Sequence, residues 1–375
     1  MFLRAVLLPF AWTRLLLLWV AWFGAQVSSS WSYPFPEATR RGWAFVPGTA
    51  LDAFGRWDAH WYLDLAARGH ELRGPLASVQ SNLAFFPLYP WAVRSVHALL
   101  PHPWRGEGSL YLCAIAVSNA AALGGLWVLW RLAREATGDE DAASRTVLYA
   151  IVFPTGFILS APYPEALFLL LSAGALLAAM RGRFLLAGLL GLLLALTRPG
   201  GVLVAVPLAW LAFTQGGSRR GGALLASALP GIGLALHAAR LWWIAGDPLA
   251  LFHAQAPWGR SLAFPWRTLL HPRDLHPWLG SLEAASLGLV AALGAWLLLR
   301  RETRALGLWA LASIAPVLLS GTLLSSTRFA AVIFPAFLAL AMLARRPGLD
   351  RALVVSFSFG QAVLFLLWSR FFWVA

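Results

Sequence analysis

Long apolar stretches separated by short polar segments run through nearly the whole chain. Eleven such windows favour helices, near residues 5–27, 110–130, 146–161, 165–180, 184–197, 201–214, 222–245, 281–299, 305–324, 329–344 and 352–373. Several windows reach or approach the roughly 20 residues that a helix needs to cross a hydrocarbon layer. The period-two alternation of membrane barrel strands is missing. The pattern therefore predicts an all-α, polytopic membrane protein with about eleven transmembrane helices, within a range of about nine to thirteen.

Two long segments, residues 28–109 and 246–280, interrupt this pattern. Loops of this length are uncommon in compact domains unless they carry function or structure of their own. Both are rich in tryptophan, which favours the headgroup region of a bilayer. We therefore expect interfacial or re-entrant helices in both segments, within one domain over residues 1–375. The apolar run after Arg4 is longer than the apolar core of a signal peptide, so a retained first helix is predicted.

Composition supports a bilayer environment and narrows the partners. The 375 residues are 59% hydrophobic and 12% charged, and the mean hydropathy is +0.69. The net charge of +13 comes from 29 basic residues, all of them arginine. These arginines are scattered between apolar runs and form no solvated basic face, so nucleic-acid binding is not expected. The single cysteine, Cys113, excludes an intrachain disulfide.

The placement of the arginines predicts an orientation, because short cytoplasmic loops are enriched in positive residues. Alternate loops hold Arg131, Arg134 and Arg145; Arg181 and Arg183; Arg219 and Arg220; Arg300, Arg301 and Arg304; and Arg345, Arg346 and Arg351. This set is expected to face the cytoplasm. Segments 28–109 and 246–280, with the turns at 161–165, 197–201 and 325–328, are expected to share the opposite face.

Asp58 lies in the stretch RWDAHWYLDLAARGH, where charged residues stand among tryptophans and a tyrosine. If this stretch is helical, Asp58 is on the same side as Trp61 and Leu65, which makes it an acid on an apolar face. Such a carboxylate must be paired or neutral, and ionisable groups held at membrane depth are candidates for function. The other interpretation is an N-cap or first-turn acid. The spacing leaves both open.

His60, Asp64 and Arg68 follow at intervals of four residues and would form one polar stripe on the same helix. A solvated face with helical charge pairs explains this stripe. Downstream, NLAFFPLYPW begins at Asn82 and combines an amide with aromatic rings and two prolines. It predicts either a re-entrant packing segment or a substrate platform of aromatic faces edged by a few polar groups.

Further candidates lie at helix ends on the expected non-cytoplasmic side. Glu165 follows Pro-Tyr-Pro at a helix start, where the helix dipole alone favours an acid. Arg198, Arg260 and Arg328 occupy positions where the positive-inside rule makes arginine scarce. They either extend to lipid headgroups or converge on an anion, for which a phosphate suits guanidinium geometry. GDPLALFHAQAPWGR adds His253 and Gln255, although a lone histidine is more often structural.

Six stretches in order resemble the PIG-V mannosyltransferases and their bacterial relatives, within the membrane-embedded GT-C glycosyltransferases. They are RWDAHWYLDLAARGH, NLAFFPLYP, FPTGFILSAPYPEALFLL, TRPGG, GDPLALFHAQAPWGR and STRFAAVIFPAFLALA. The resemblance spans nearly the whole chain. It departs from the family pattern at Thr327 and Phe329, where relatives usually have a proline and a tyrosine. Dinucleotide-binding, P-loop, zinc-protease and hydrolase motifs do not occur where those templates need them.

The resemblance implies a GT-C fold and an inverting transfer of mannose, or a related hexose, from a polyprenyl-phosphate carrier to a lipid-linked or glycan acceptor. It implies Asp58 as the catalytic base, with Arg198 and Arg260, and then Arg328, stabilising the departing phosphate. The remaining substrate-binding candidates are His60, Asn82, Tyr163, Glu165, His253 and Gln255. No metal or other cofactor is expected, since arginines can supply the positive charge.

Two other functions fit the same sequence: a GT-C transferase of another sugar, and a lipid or solute transporter. Transporters often have inverted repeats with broken helices, and no repeat is evident here. The arginine-only, compact chain is typical of a bacterial protein. We therefore expect a multi-pass protein of a bacterial cytoplasmic membrane, surrounded by membrane lipids, with its active site on the non-cytoplasmic face.

Overall fold

The computed structural model describes residues 1–27, 44–270 and 277–374. Within these ranges the regular structure is helical, and no strand is formed. The α-helices are α1 (Leu8–Val27), α2 (Ala59–Arg68), α3 (Leu88–His97), α4 (Glu107–Thr137), α5 (Glu140–Val152), α6 (Glu165–Met180), α7 (Phe184–Ala195), α8 (Ala205–Gln215), α9 (Arg220–Ser227), α10 (Leu229–Ala245), α11 (Ala250–His253), α12 (Pro265–Leu270), α13 (Pro277–Leu298), α14 (Arg304–Leu318), α15 (Ser326–Ala330), α16 (Pro335–Leu343) and α17 (Pro347–Ser369). The all-α prediction is confirmed over this part of the chain.

Five helical segments of the described ranges are long and apolar enough to cross a membrane. They are Leu3–Gln26, Glu107–Thr137, Gly217–Ala245, Trp278–Leu298 and Pro347–Ser369. Every apolar window contains helix, but several of these helices are short. The window at 146–161 breaks after Val152 into a 3-10 turn at Gly156–Ser160, and the window at 329–344 is interrupted before Pro335. The expected count of about eleven spans is therefore not confirmed.

Small residues allow the long helices to approach closely. A Cβ atom added at Gly125 of α4 would lie 3.0 Å from the backbone nitrogen of Leu170 in α6. One added at Gly307 of α14 would lie 2.5 Å from the backbone nitrogen of Leu298 in α13. In a bilayer, helices associate through close packing rather than through apolar burial, and small residues permit it. The α4–α6 and α13–α14 pairs therefore form two tightly packed parts of the bundle.

Local sequence determines how these helices begin and end. Gly138 takes a left-handed conformation, with φ of 68°, and ends α4. Asp139 then caps α5, because its carboxylate accepts hydrogen bonds from the backbone N–H groups of Asp141 and Ala142 at 2.8 and 3.0 Å. This glycine stop followed by an acidic cap is a common connection between helices. It produces the sharp reversal between α4 and α5.

Both long segments contain the expected short helices. The first includes α2 and α3, and the second includes α11 and α12. Three residues of these segments, Trp31, Trp43 and His271, lie outside the described ranges. In the described parts, the two segments meet over the ends of α6, α14 and α15, where a cavity forms.

Candidate functional site

A cavity of about 740 Å³ lies between the two long segments and the helix ends beneath them. Six of the candidate residues line it: Asp58, Arg198, His253, Gln255, Arg260 and Arg328. Apolar and aromatic side chains supply much of the remaining wall, including Tyr62, Phe85, Phe168, Trp258 and Phe329. A concave, largely apolar pocket with a few convergent polar groups is the usual form of a ligand site.

Asp58 stands at the N-cap position of α2, yet its side chain makes no capping hydrogen bond. Instead, Oδ2 accepts a hydrogen bond from Nη1 of Arg328 at 3.0 Å, across 270 positions of sequence. The carboxylate is 12% exposed, and Oδ1 makes no hydrogen bond with any residue of the described ranges. Of the two interpretations that spacing left open, the structure therefore favours an acid paired inside the site over a helix cap.

Arg328 connects Asp58 to a second acid. Its Nε lies 3.1 Å from Oε1 of Glu165, and the same oxygen accepts a hydrogen bond from Nη1 of Arg198 at 3.1 Å. Glu165 is fully buried at the first position of α6 and caps nothing with its side chain. Asp58, Arg328, Glu165 and Arg198 thus form a chain of alternating charges.

The environment of the arginines alters their acid–base equilibria. Burial opposes the charged form of Arg328, but attraction to Glu165 and Asp58 outweighs it and holds the pKa above its ordinary value. Burial lowers the pKa of Arg198, and Glu165 partly offsets this effect. Burial lowers the pKa of Arg260 to about 10. With a pKa of about 10, the guanidinium of Arg260 stays protonated at neutral pH.

Arg260 differs from the other two because no acid pairs with it among the described residues. Its Nη1 donates to Oε1 of Gln255 at 3.2 Å, and Nε2 of Gln255 donates to the backbone carbonyl of Ala84 at 2.8 Å. Gln255 thus links the second long segment to the first. The cation at Arg260 is held by a neutral amide and is available to an anion in the cavity.

Comparison with known families decides where this chain belongs. The family model for mannosyltransferase (PIG-V) matches residues 15–222, more than half of the 375 residues. The chain belongs to the PIG-V mannosyltransferase family. A protein named GPI mannosyltransferase 2, from Drosophila pseudoobscura pseudoobscura, is 27% identical over 135 residues, which are 35% of this chain and 28% of that protein. The match thus spans less than a third of the relative's length.

The PIG-V match includes part of the charged cluster and leaves the rest outside. Asp58, Glu165 and Arg198 fall within residues 15–222, whereas Arg260 and Arg328 follow it. The structure nevertheless brings Asp58 and Arg198 into one cavity with Arg260 and Arg328, and Glu165 pairs with Arg198 and Arg328 beside it. The site of this PIG-V protein therefore combines residues from both sides of the boundary of the match.

Four candidates do not line the cavity: His60, Asn82, Tyr163 and Glu165. Nδ2 of Asn82 donates to Oδ2 of Asp64 and to the carbonyl of Gly69, at 2.8 and 2.9 Å. The hydroxyl of Tyr163 donates to the carbonyl of Arg56 at 2.8 Å, and both side chains are fully buried. The polar atoms of Asn82 and Tyr163 are therefore occupied by hydrogen bonds that join separate segments of the protein. The structure thus does not favour direct contact with a sugar at either residue.

His60 and His253 also bond within the protein. Nδ1 of His60 is 2.8 Å from the carbonyl oxygen of Trp57, and burial lowers the pKa of this imidazole. Asp64 pairs with Arg68, as the helical charge-pair interpretation predicts. His253 lies on the cavity wall with Nδ1 2.6 Å from Oδ2 of Asp247, and its side chain is 48% exposed. Of the two histidines, only His253 is therefore within reach of a molecule in the cavity.

Two tryptophans contribute to the candidate site although the sequence pattern did not predict it. Trp373, beyond the end of α17, lines the cavity, and its ring packs edge-on against Trp57 at 5.0 Å. Trp258, in the tryptophan-rich second long segment, lies in the cavity wall and packs edge-on against Trp61 and Phe85, at 5.7 and 5.5 Å. No local pattern distinguishes such residues from headgroup anchors, since only the fold brings them to the cavity.

Proposed function

We propose that this PIG-V family member is a membrane glycosyltransferase that moves mannose, or a related hexose, from a polyprenyl-phosphate carrier to an acceptor hydroxyl with inversion. One observation carries the proposal: among the described residues, a carboxylate oxygen of Asp58 has no hydrogen-bond partner and Arg260 has no acidic partner, and both side chains line the same cavity. Group transfer from a lipid phosphate needs a proton acceptor and a cation to receive the growing negative charge. Asp58 and Arg260 match these two needs.

The charge balance of the cluster supports an anionic ligand. Two acids, Asp58 and Glu165, stand against three arginines, Arg198, Arg260 and Arg328. Among these five side chains one positive charge is left over, in a pocket where burial strengthens electrostatic interactions. Guanidinium groups bind phosphate oxygens with paired hydrogen bonds. A lipid phosphate bound between Arg260 and the guanidinium groups of Arg198 and Arg328 would neutralise this excess positive charge.

Apolar side chains around the cavity favour a lipid carrier over a water-soluble donor. Leu249, Phe252 and Leu262 line the cavity and are 53%, 66% and 87% exposed. Exposed apolar groups at a pocket indicate contact with another apolar surface. A polyprenyl chain reaching the pocket through the hydrocarbon layer would cover them.

The proposed step balances as a single displacement. Oδ1 of Asp58 takes the proton from the acceptor hydroxyl as its oxygen bonds to the anomeric carbon. The bond between that carbon and the phosphate oxygen breaks, and the electron pair leaves with the polyprenyl phosphate. Arg260, with Arg198 and Arg328, stabilises the departing anion. Attack opposite to the leaving phosphate inverts the anomeric centre.

Other candidates have supporting roles in this scheme. Glu165 holds Arg198 and Arg328 in place through one shared oxygen, and Gln255 holds Arg260, while His253 contacts the sugar or the acceptor. His60, Asn82 and Tyr163 stabilise the walls. The reaction proceeds without a metal, since three arginines supply the positive charge. We place the site on the non-cytoplasmic face of the membrane.

A donor assay with purified protein in lipid nanodiscs tests this function. Radiolabelled polyprenyl-phosphate mannose, the corresponding glucose and arabinose donors, and GDP-mannose are each supplied with a lipid and glycan extract from the organism that carries the chain. We expect label transfer from the mannosyl lipid and none from GDP-mannose. Transfer from GDP-mannose, or from none of the lipid donors, would refute the proposal. Transfer from glucose or arabinose donors alone would keep the chemistry and change the sugar.

A further inference from the structure

A buried acid outside the charged cluster contacts the turn that carries Arg328. Glu283 is the one charged residue of α13, a helix long and apolar enough to cross the membrane. Its side chain is fully buried. Ionisable side chains inside membrane helices are costly to keep and mark functional positions by default. This rule, applied to the apolar window at 281–299, would have singled out Glu283 from the sequence.

Both oxygens of Glu283 accept hydrogen bonds from backbone groups. Oε1 accepts from the N–H of Ser325 at 2.9 Å, and Oε2 accepts from the N–H of Thr327. No ion pair joins Glu283 to a basic side chain within the described residues. The carboxylate therefore acts directly on the shape of the backbone just before Arg328.

The backbone that Glu283 holds has an unfavourable conformation. Ser325 has φ of 71° and ψ of 15°, in the left-handed region that residues with a Cβ rarely adopt. Such strain persists only where surrounding contacts impose it, and it is frequent at functional sites. α15 begins at the next residue and directs Arg328 towards Asp58 and Glu165.

We propose that Glu283 is a positioning residue, whose two hydrogen bonds fix the left-handed turn at Ser325 and thereby the guanidinium of Arg328 between Asp58 and Glu165. The role in catalysis rests on the proposed glycosyl transfer, and the structural role does not. A displacement of about 1 Å in a catalytic group lowers rates by about a hundredfold. The turn thus couples a membrane helix to the alignment of the cluster.

Glu283→Gln tests this role with little change of volume. The amide keeps one acceptor but turns an NH₂ group towards the second backbone N–H. The matched control is Ser286→Ala, one turn further along α13. Hydrogen exchange of a peptide covering residues 322–330, measured in nanodiscs, reports the turn without any activity assay. We expect exchange at least tenfold faster in Glu283→Gln and unchanged in the control.

Enzyme kinetics, with a second substitution at Ser325, tests the effect of the turn on catalysis. We expect Glu283→Gln to lower kcat by roughly 10- to 100-fold with KM within about threefold of wild type. Glycine adopts positive φ readily, so Glu283→Gln/Ser325→Gly should recover kcat at least threefold over Glu283→Gln alone. Unchanged exchange in Glu283→Gln, or no recovery in the double variant, would overturn the positioning role. If wild-type protein transfers no sugar, the proposed function fails and hydrogen exchange alone decides the role of Glu283.

Discussion

Replacement of Asp58 by asparagine tests the proposed catalytic base while leaving the shape of the site nearly unchanged. The substitution conserves volume and keeps an oxygen that can accept the hydrogen bond now made by Nη1 of Arg328 at 3.0 Å. It removes the negative charge and the ability to take a proton. We expect Asp58→Asn to abolish most turnover while the protein still inserts, folds and binds a polyprenyl phosphate.

Two free energies set the size of the expected effects. Breaking a buried ion pair costs about 3–5 kcal/mol when a charge is left without a partner. Here Arg328 keeps Glu165 at 3.1 Å, so we expect the loss in unfolding free energy to be about 1.5–3 kcal/mol, the contribution of one hydrogen bond to a charged group. Loss of a general base lowers rates by about 10²- to 10⁴-fold, which is about 3–5.5 kcal/mol of barrier.

The assay compares Asp58→Asn with Asp64→Asn, an acid of the same helix that pairs with arginines outside the cavity. Label transfer from polyprenyl-phosphate mannose gives kcat, and the thermal shift caused by added polyprenyl phosphate gives ligand binding. We expect the loss of kcat in Asp58→Asn alone, with the thermal shift retained in both variants. Transfer by Asp58→Asn within threefold of wild type would refute Asp58 as the base.

Three further predictions follow from the charge, topology and cofactor assignments. Arg260→Gln should raise the Kd for polyprenyl phosphate about 10- to 100-fold, since one hydrogen bond to a charged group contributes about 1.5–3 kcal/mol. Polyprenol, which lacks the phosphate, should bind the variant and the wild type with equal Kd. If polyprenyl phosphate also binds both proteins with equal Kd, Arg260 does not contact the phosphate. A cysteine at exposed Ser78, in a Cys113→Ala background, should react with a membrane-impermeant maleimide from the non-cytoplasmic side, and labelling only from the cytoplasm would reverse the orientation. Treatment with EDTA should leave transfer unchanged, and a loss restored by Mg²⁺ or Mn²⁺ would disprove the metal-free mechanism.

Local pattern was sufficient for much of the helix prediction and for some of the side-chain pairing. The pairing of Asp64 with Arg68 follows from helical spacing alone. The same spacing could not separate a cap from a site residue at Asp58 or Glu165, because both positions stand at helix starts. Their partners come from distant parts of the chain, so no window of sequence contains the information that decides between the two roles.

Long-range packing also accounts for the residues that were ranked or assigned differently. Arg328 was placed third among the arginines on sequence grounds, yet it bridges the two acids of the cluster. Asn82 and Tyr163 were substrate-binding candidates, but their polar atoms bond to side-chain and backbone groups within the protein. A buried polar atom that already bonds to a protein group is not available to a ligand, and the fold decides which polar atoms have such a partner.

The amino-acid sequence by itself determined the helical class of this protein, its affinity for a bilayer and the small set of charged residues that a functional site could use. These properties depend on composition and on periodicity within single segments, which local physics fixes. Tertiary structure decided that Asp58 faces Arg328, that Glu165 is shared by two arginines and that Arg260 has no acidic partner among the described residues. Those arrangements depend on how the helices pack and on the strained turn at Ser325. Coulomb and hydrogen-bond energies depend on distances between atoms, and between residues far apart in sequence these distances are defined only in the folded chain.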